Sequence, residues 1–340
     1  MESSFYNQFF TQPLVAYQLI TVICAVISIF AGYLYIPWAQ RWLSSQVRSH
    51  TPERHQQKNN TPTMGGLFII TTQVITSLVI WWYYSVSALW ILSLSLIAGG
   101  CIGGWDDWYK LTSKHGISAT SKFIAQWFTA FVLGGLLYMY DPLPGIILIP
   151  GLNIMNDIGI AWIAWAAFVI VSISNALNLT DGLDGLATSC LLPVLTSICT
   201  CGFIMGPVFY DTKYASLIWT ASLVGLLFGF LWHNSYRARI FMGDIGSLSL
   251  GICLAVLALI LKVELLLPIA GLIFVLETLS VVLQVFWYKR FGKKLFAMAP
   301  VHHHFELKDM HEATIVMRAL IISIITSICA FIIAYTSVFK

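Results

Sequence analysis

The sequence predicts an all-α polytopic membrane protein with ten transmembrane helices, and three observations carry that prediction. The 340 residues are 58% hydrophobic and only 10% charged, where soluble chains carry about a quarter charged residues. Too few charges remain to cover a water-soluble globule of this size. Apolar runs of spanning length recur along the whole chain, and the basic residues collect in alternate connections between them. The same composition excludes a nucleic-acid binder and a disordered chain.

A spanning helix needs about 20 mostly apolar residues. Runs of that kind, bounded by polar or Gly/Pro punctuation, fall at 14–38, 64–84, 88–105, 121–140, 159–177, 185–206, 213–232, 245–263, 265–288 and 315–338. Residues 1–340 read as a single integral membrane domain without internal repeat. Glu2 is the only charge ahead of Arg41, so the first run lacks the basic leader of a signal peptide and is expected to be retained. The shortest connectors lie at 84–88 and 263–265.

Arg41, Arg48, Arg54 and Lys58 occupy the first loop, Lys110, Lys114 and Lys122 the third, and Arg237 and Arg239 the seventh. Lys289, Arg290, Lys293, Lys294 and Lys308 occupy the ninth. Only Lys213, Lys262 and Lys340 fall on the other side. Odd loops are therefore expected to be cytoplasmic, with both termini outside. The segment Asp141 to Asp157 carries no Lys or Arg and reads as an external loop with room for a short hairpin. All seven cysteines lie in apolar runs without CxxC spacing, which makes them small buried apolar residues rather than metal ligands.

The topology sorts the acids. Asp106, Asp107, Asp181, Asp184 and Asp244 stand at cytoplasmic helix ends in segments otherwise nearly free of polar residues. Any one of them could be interfacial charge that ends a helix; five gathered at one membrane face call for a cation. In Trp105-Asp106-Asp107-Trp108-Tyr109-Lys110 the lysine lies three and four residues beyond the acids, beside them if the segment is helical. Asn178, Asp181 and Asp184 recur every third residue and would share one face of a helical turn, with Gly182 and Gly185 allowing close backbone approach. Asp244, between Gly243 and the apolar run that follows, reads either as a helix cap or as a ligand. His302, His303 and His304 are consecutive and cannot all bind one metal in regular geometry, which favours hydrogen bonding to phosphate or sugar.

Together these residues carry a resemblance. Thr61-Pro-Thr63-Met-Gly-Gly66, the Asp106-Asp107 pair, Asn178-Leu-Thr-Asp181-Gly-Leu-Asp184-Gly, Phe241-Met-Gly-Asp244 and Ala299-Pro-Val-His302-His-His, in this order from about 50 to 320, resemble the phospho-N-acetylmuramoyl-pentapeptide transferases. The resemblance implies transfer of phospho-MurNAc-pentapeptide from UDP-MurNAc-pentapeptide to undecaprenyl phosphate. Lipid I and UMP would form with Mg²⁺ at the cytoplasmic face of the bacterial inner membrane, in peptidoglycan synthesis. It also implies a ten-helix homodimer embedded in the lipid bilayer.

Carried onto matching positions, it implies Asp106, Asp107, Asp244, His302 and His303 as catalytic, with Asp244 and Asp107 at the magnesium ion. Asn178, Asp181, Asp184 and Asn234 would line the nucleotide and phosphate region, and Phe241 would lie against the uracil. Lys58, Thr63, Lys110, Lys122 and His304 would complete the cleft. The chain departs from the family pattern at Asn60, in Thr51-Pro52-Glu53-Arg54-His55, and in Asp309-Met310-His311-Glu312-Ala313.

Two other readings use the same residues. A polyprenyl-phosphate N-acetylhexosamine-1-phosphate transferase would share the acids but not the Pro-Val-His-His-His loop. A ten-helix secondary transporter would place acids near the bilayer midplane at a repeat interface. Only Glu277 suits that position, and a hydrogen bond between helices explains it equally well.

Overall fold

The computed structural model describes residues 13–44, 61–84, 86–113, 116–152 and 154–338. Lys58, Asn60, Lys114 and the 51–55 departure lie outside the described residues. Among the described residues, ten helices are long and apolar enough to cross a membrane.

In chain order these are α1 (Pro13–Trp42), α2 (Gly65–Tyr84), α3 (Ser87–Ser113), α4 (Ala119–Tyr140), α5 (Trp162–Thr180), α6 (Leu186–Met205), α7 (Tyr210–Asn234) and α8 (Gly243–Ile260). After the short α9 (Leu267–Ala270) comes α10 (Leu272–Phe291), then the short α11 (Val301–Glu306) and finally α12 (Glu312–Val338). The expected runs are all present. Two differ usefully from expectation. α3 stays helical to Ser113, past its apolar run, because nothing in Asp106–Ser113 breaks a helix. The run expected from 265 is interrupted: a 3₁₀ turn (Glu264–Leu266) and α9 precede Gly271, after which α10 begins at Leu272.

α8 is the core of the bundle. Every residue from Ile245 to Ile260 is buried, with α3, α5 and α2 packed around it. Without a hydrophobic force between helices in lipid, close backbone approach takes over. Gly103 of α3 shows it: a Cβ there would lie 2.1 Å from the Asp244 carbonyl oxygen. Buried polar side chains stitch the helices further. Gln73 of α2 donates to the Trp219 carbonyl at 3.1 Å, and the Trp219 indole of α7 donates to Ser77 at 2.7 Å. α1, α4, α10 and α12 form the periphery and turn apolar faces outward, as with Leu34, Phe128, Phe286 and Ile325. Cys101 of α3 and Cys329 of α12 are exposed, a correction to the expectation that all seven cysteines are buried. Their helix runs are apolar all round, so hydropathy alone cannot separate inward from outward positions.

Helix polarity sets which ends meet. α3 ends, α4 begins, α5 ends and α8 begins at one end of the bundle, where the acids are. At the other end the expected hairpin forms between α4 and α5: β1 (Ile146–Ile149) pairs antiparallel with β2 (Ile154–Asp157). Its turn is anchored to α12 by the Gly151 N–H donating to Ser337 Oγ at 2.6 Å. Below the hairpin a charged cluster is buried. Lys262 pairs with Asp141 and lies 4.5 Å from the Trp162 ring centroid, while Glu264 accepts the Trp165 indole N–H at 3.3 Å.

Candidate active site

At the acid-bearing end, Lys110 Nζ lies 2.9 Å from Asp106 Oδ2 and 3.7 Å from Asp107 Oδ1, the pairing its spacing predicts. Lys122 comes from the first turn of α4. It lies 3.4 Å from Asp106 Oδ2 and pairs with Asp244 Oδ2, the oxygen that Lys110 also reaches at 3.0 Å. Asp106 and Asp107 are each 4% exposed, and their remaining oxygens are fixed by backbone amides. Asp106 Oδ1 accepts from Ile117 N–H at 2.8 Å and Asp107 Oδ2 from Ile245 N–H at 3.0 Å.

Two ammonium groups thus stand among three carboxylates. Such a cluster retains affinity for a further cation and can release ammonium donors to a phosphate. Asp244 is no helix cap. Its carboxylate turns across to α4 and α5, where Asn178 Nδ2 donates to Oδ1 at 3.0 Å and to Ser247 Oγ at 2.8 Å.

The expected helical face of Asn178, Asp181 and Asp184 does not form. α5 ends at Thr180, Asp181 leaves helical geometry, and the two glycines let the chain turn. The three side chains therefore part. Asn178 faces Asp244, whereas Asp184 is buried and braces the turn from behind: its Oδ2 accepts Ala238 N–H at 3.0 Å, and its own N–H donates to Glu312 Oε1 at 2.6 Å. Asp181 stays next to Asn178, its N–H donating to the Asn178 carbonyl at 3.3 Å. Burial holds its carboxyl well above the usual range, and the neighbouring charges of Asp244, Asp107 and Asp184 add to the shift.

Asn234 is likewise committed. Its amide donates to the Ile240 carbonyl at 2.9 Å and its oxygen accepts from Thr188 at 3.1 Å, so it holds the loop that delivers Phe241. Phe241 is half-buried, three residues ahead of Asp244, with its N–H on the Pro62 carbonyl at 2.9 Å. Thr63 borders the same turn: a Cβ at Gly243 would lie 3.1 Å from Thr63 Oγ1 and 2.5 Å from Asp107 Oδ2.

The three histidines point three ways. His302 Nδ1 lies 3.0 Å from Glu277 Oε2, His303 Nδ1 lies 2.6 Å from Glu306 Oε2, and His304 Nδ1 accepts from Ala297 N–H at 3.1 Å. Glu277 of α10 is therefore hydrogen-bonded to a neighbouring helix, as the sequence suggested, and that helix is the short α11 of the histidine segment. Among the described residues, no three His, Cys, Asp or Glu side chains converge into a ready-made metal cage.

Two family models match the chain. Glycosyl transferase family 4 covers residues 88–262, and the phospho-N-acetylmuramoyl-pentapeptide-transferase signature 1 covers residues 58–70, with Thr63 inside it. Relatives named phospho-N-acetylmuramoyl-pentapeptide-transferase match along most of their length. The protein of Aquifex aeolicus is 39% identical over 302 residues, which is 86% of this chain and 84% of its own. That of Syntrophus aciditrophicus is 37% identical over 91% of both chains.

The chain belongs to the phospho-N-acetylmuramoyl-pentapeptide-transferase family. A third member, from Rickettsia africae, is 41% identical over 82% of this chain and 81% of its own. The N-acetylhexosamine-1-phosphate and transporter readings are not favoured by these matches. Within this transferase family's site, sequence reasoning passed over Ser247 and Glu312. Ser247 lies three residues beyond Asp244, one helical turn along the same face, which was a readable signal. Glu312 gave no such signal, since it lies in the segment that departs from the family pattern.

Proposed function

We propose that this protein transfers phospho-MurNAc-pentapeptide from UDP-MurNAc-pentapeptide to undecaprenyl phosphate, giving lipid I and UMP at the cytoplasmic face of the bacterial inner membrane. The observation that carries the reading is the cluster of Asp106, Asp107 and Asp244 around Lys110 and Lys122, placed at the end of a membrane bundle of this family. By sequence, fourteen of the 18 Lys and Arg belong to the odd-numbered connections and their flanks, the same side as the acids, which supports a cytoplasmic placement.

An oxygen of the lipid phosphate attacks the sugar-bearing phosphorus and forms a P–O bond, while the bond from that phosphorus to the bridging oxygen breaks and UMP leaves. A phosphate monoester with a second pKa of about 6 is already mostly dianionic at neutral pH. Direct attack therefore needs no aspartate nucleophile. Lys110 and Lys122 hold the diphosphate by charge. Asp106, anchored by Ile117 N–H, orients the lipid phosphate or takes its residual proton. Phe241 offers its ring to the uracil. His303 lies beside the His302 ring and His304 beside Phe305, and in this reading the two meet the phosphosugar.

The donor set fits Mg²⁺. This ion keeps several waters and takes one or two carboxylates plus substrate phosphates, so a complete protein cage is not needed. Asp244 and Asp107 would hold it. When bound it supplies positive charge against the diphosphate. The proposed protein acts as a homodimer in the bilayer, as the family resemblance implies.

The test is reconstitution. Purified protein with UDP-MurNAc-pentapeptide, undecaprenyl phosphate and Mg²⁺ should release UMP and form lipid I. Turnover of UDP-N-acetylglucosamine with none of UDP-MurNAc-pentapeptide would overturn the assignment.

A further inference from the structure

One acid of α10 reaches into the histidine loop. Glu277 is 3% exposed, and its Oε2 lies 3.0 Å from His302 Nδ1 and accepts the His302 backbone N–H at 3.4 Å. A carboxylate here can only accept, so His302 Nδ1 is the donor to Glu277 and Nε2 is the ring's other polar atom. Nε2 is buried without a hydrogen-bond partner and faces Gly182, where a Cβ would come within 2.2 Å of it. Only glycine leaves room for the ring. The residue before Gly182 is Asp181, whose N–H donates to the Asn178 carbonyl at 3.3 Å, and the Asn178 amide in turn donates to Asp244 Oδ1 at 3.0 Å.

Seven residues further along α10, on the same face, Gln284 braces the same loop. Its oxygen accepts Leu295 N–H at 3.0 Å and Phe296 N–H at 2.9 Å, and its amide donates to the Phe296 carbonyl at 3.1 Å. A neutral amide thus suffices to fasten backbone. A buried carboxylate costs desolvation that fastening alone does not require. What the charge adds at Glu277 is control of an imidazole.

We propose that Glu277 is a positioning residue of the transfer reaction: through Nδ1 it fixes the tautomer and pose of His302, whose Nε2 edge rests on Gly182 and keeps the Asp181 turn beside the acid cluster. This rests on the transferase reading above. The same logic of a carboxylate orienting a histidine operates in other enzyme sites, with Glu277 here acting from a helix that contributes nothing else to the acid cluster.

The experiment compares wild type, Glu277→Gln, His302→Ala, Gly182→Ala and the double variant Glu277→Gln/His302→Ala, all as the full chain in lipid nanodiscs. UMP release gives kcat and KM for UDP-MurNAc-pentapeptide, and thermal unfolding reports stability. Glu277→Gln should lower kcat about tenfold or more, on the scale of residues that orient a functional histidine, with KM and melting temperature close to wild type. Gly182→Ala should also lower kcat, since its methyl displaces the ring. The double variant should be no slower than His302→Ala alone. Wild-type kcat in Glu277→Gln, losses that multiply in the double variant, or a kcat loss matched by falling stability and rising KM would each overturn the proposal. A wild type that releases no UMP would instead defeat the transferase reading, and this inference would fall with it.

Discussion

Asp107 Oδ2 accepts the Ile245 backbone N–H at 3.0 Å, so an acid at the far end of α3 closes the first turn of α8. The contact binds two of the three acids of the cluster to one rigid unit, because Ile245 follows Asp244. It also places a negative charge at a helix N-terminus, where the backbone dipole favours it.

Asp244 meets both lysines through Oδ2 and Asn178 through Oδ1. Asp244→Asn should lose most turnover, with a raised Mg²⁺ requirement in whatever activity remains. Asp106→Asn should lose turnover while UDP-MurNAc-pentapeptide binding is nearly intact. Calorimetric titration of the nucleotide sugar beside UMP-release assays at graded Mg²⁺ checks both; an Asp106→Asn variant that no longer binds the nucleotide sugar would reassign Asp106 to the UDP side.

Lys122 neutralises Asp106 and Asp244 from α4, and its side chain is 17% exposed. Lys122→Met leaves these carboxylates with Lys110 alone. Breaking a mostly buried pair costs about 3 to 5 kcal/mol at the upper end, so the variant should unfold at lower temperature in EDTA. Added Mg²⁺ should recover part of that loss. Equal unfolding temperatures with and without Mg²⁺ would argue against a cation site at these carboxylates.

Phe241→Ala should weaken UDP-sugar binding by about 1 to 3 kcal/mol, the scale of base stacking on an aromatic ring. Calorimetry with UDP-MurNAc-pentapeptide reads it directly. Unchanged affinity would remove Phe241 from the uracil subsite.

Glu264, at the hairpin end, has its carboxyl pushed up to about 7 by burial. The folded state therefore holds this proton more tightly than the unfolded chain, whose glutamate titrates near 4.5. Stability is then lost as pH rises from about 4.5 to about 7 and levels off above, by about 3 kcal/mol at most. Glu264→Gln keeps an acceptor for Trp165 and removes the titration. Its melting temperature should match wild type at pH 5 and exceed it at pH 8. Parallel pH profiles for the two proteins would contradict this assignment.

A cysteine at Lys293 should react with an impermeant reagent only after the cells are opened, whereas one at Leu152 in the hairpin turn should react in intact cells. The reverse pattern would invert the topology expected from the basic loops.

Composition and the spacing of apolar runs determined the membrane class, the ten helices and the hairpin segment, because lipid forces each crossing to satisfy its own backbone within about 20 apolar residues. The motif residues determined the family and named the acids. Helical spacing alone predicted that Lys110 lies beside Asp106 and Asp107. Tertiary structure decided the rest. Lys122, Asn178 and Asp244 meet only because α4, α5 and α8 bring their ends together, and nothing local in sequence records that convergence. The same is true of Asp184 and Asn234, which the family resemblance assigned to the nucleotide and phosphate region: their bonds to Ala238, Glu312, Thr188 and Ile240 come from packing that no local spacing records. Glu277 is the clearest case: one acid in an apolar run is compatible with several partners, and its pairing with His302, 25 residues away, is set by how the ninth loop folds back on α10. A buried polar group must find a partner, but sequence gives only its need for one; packing chooses which.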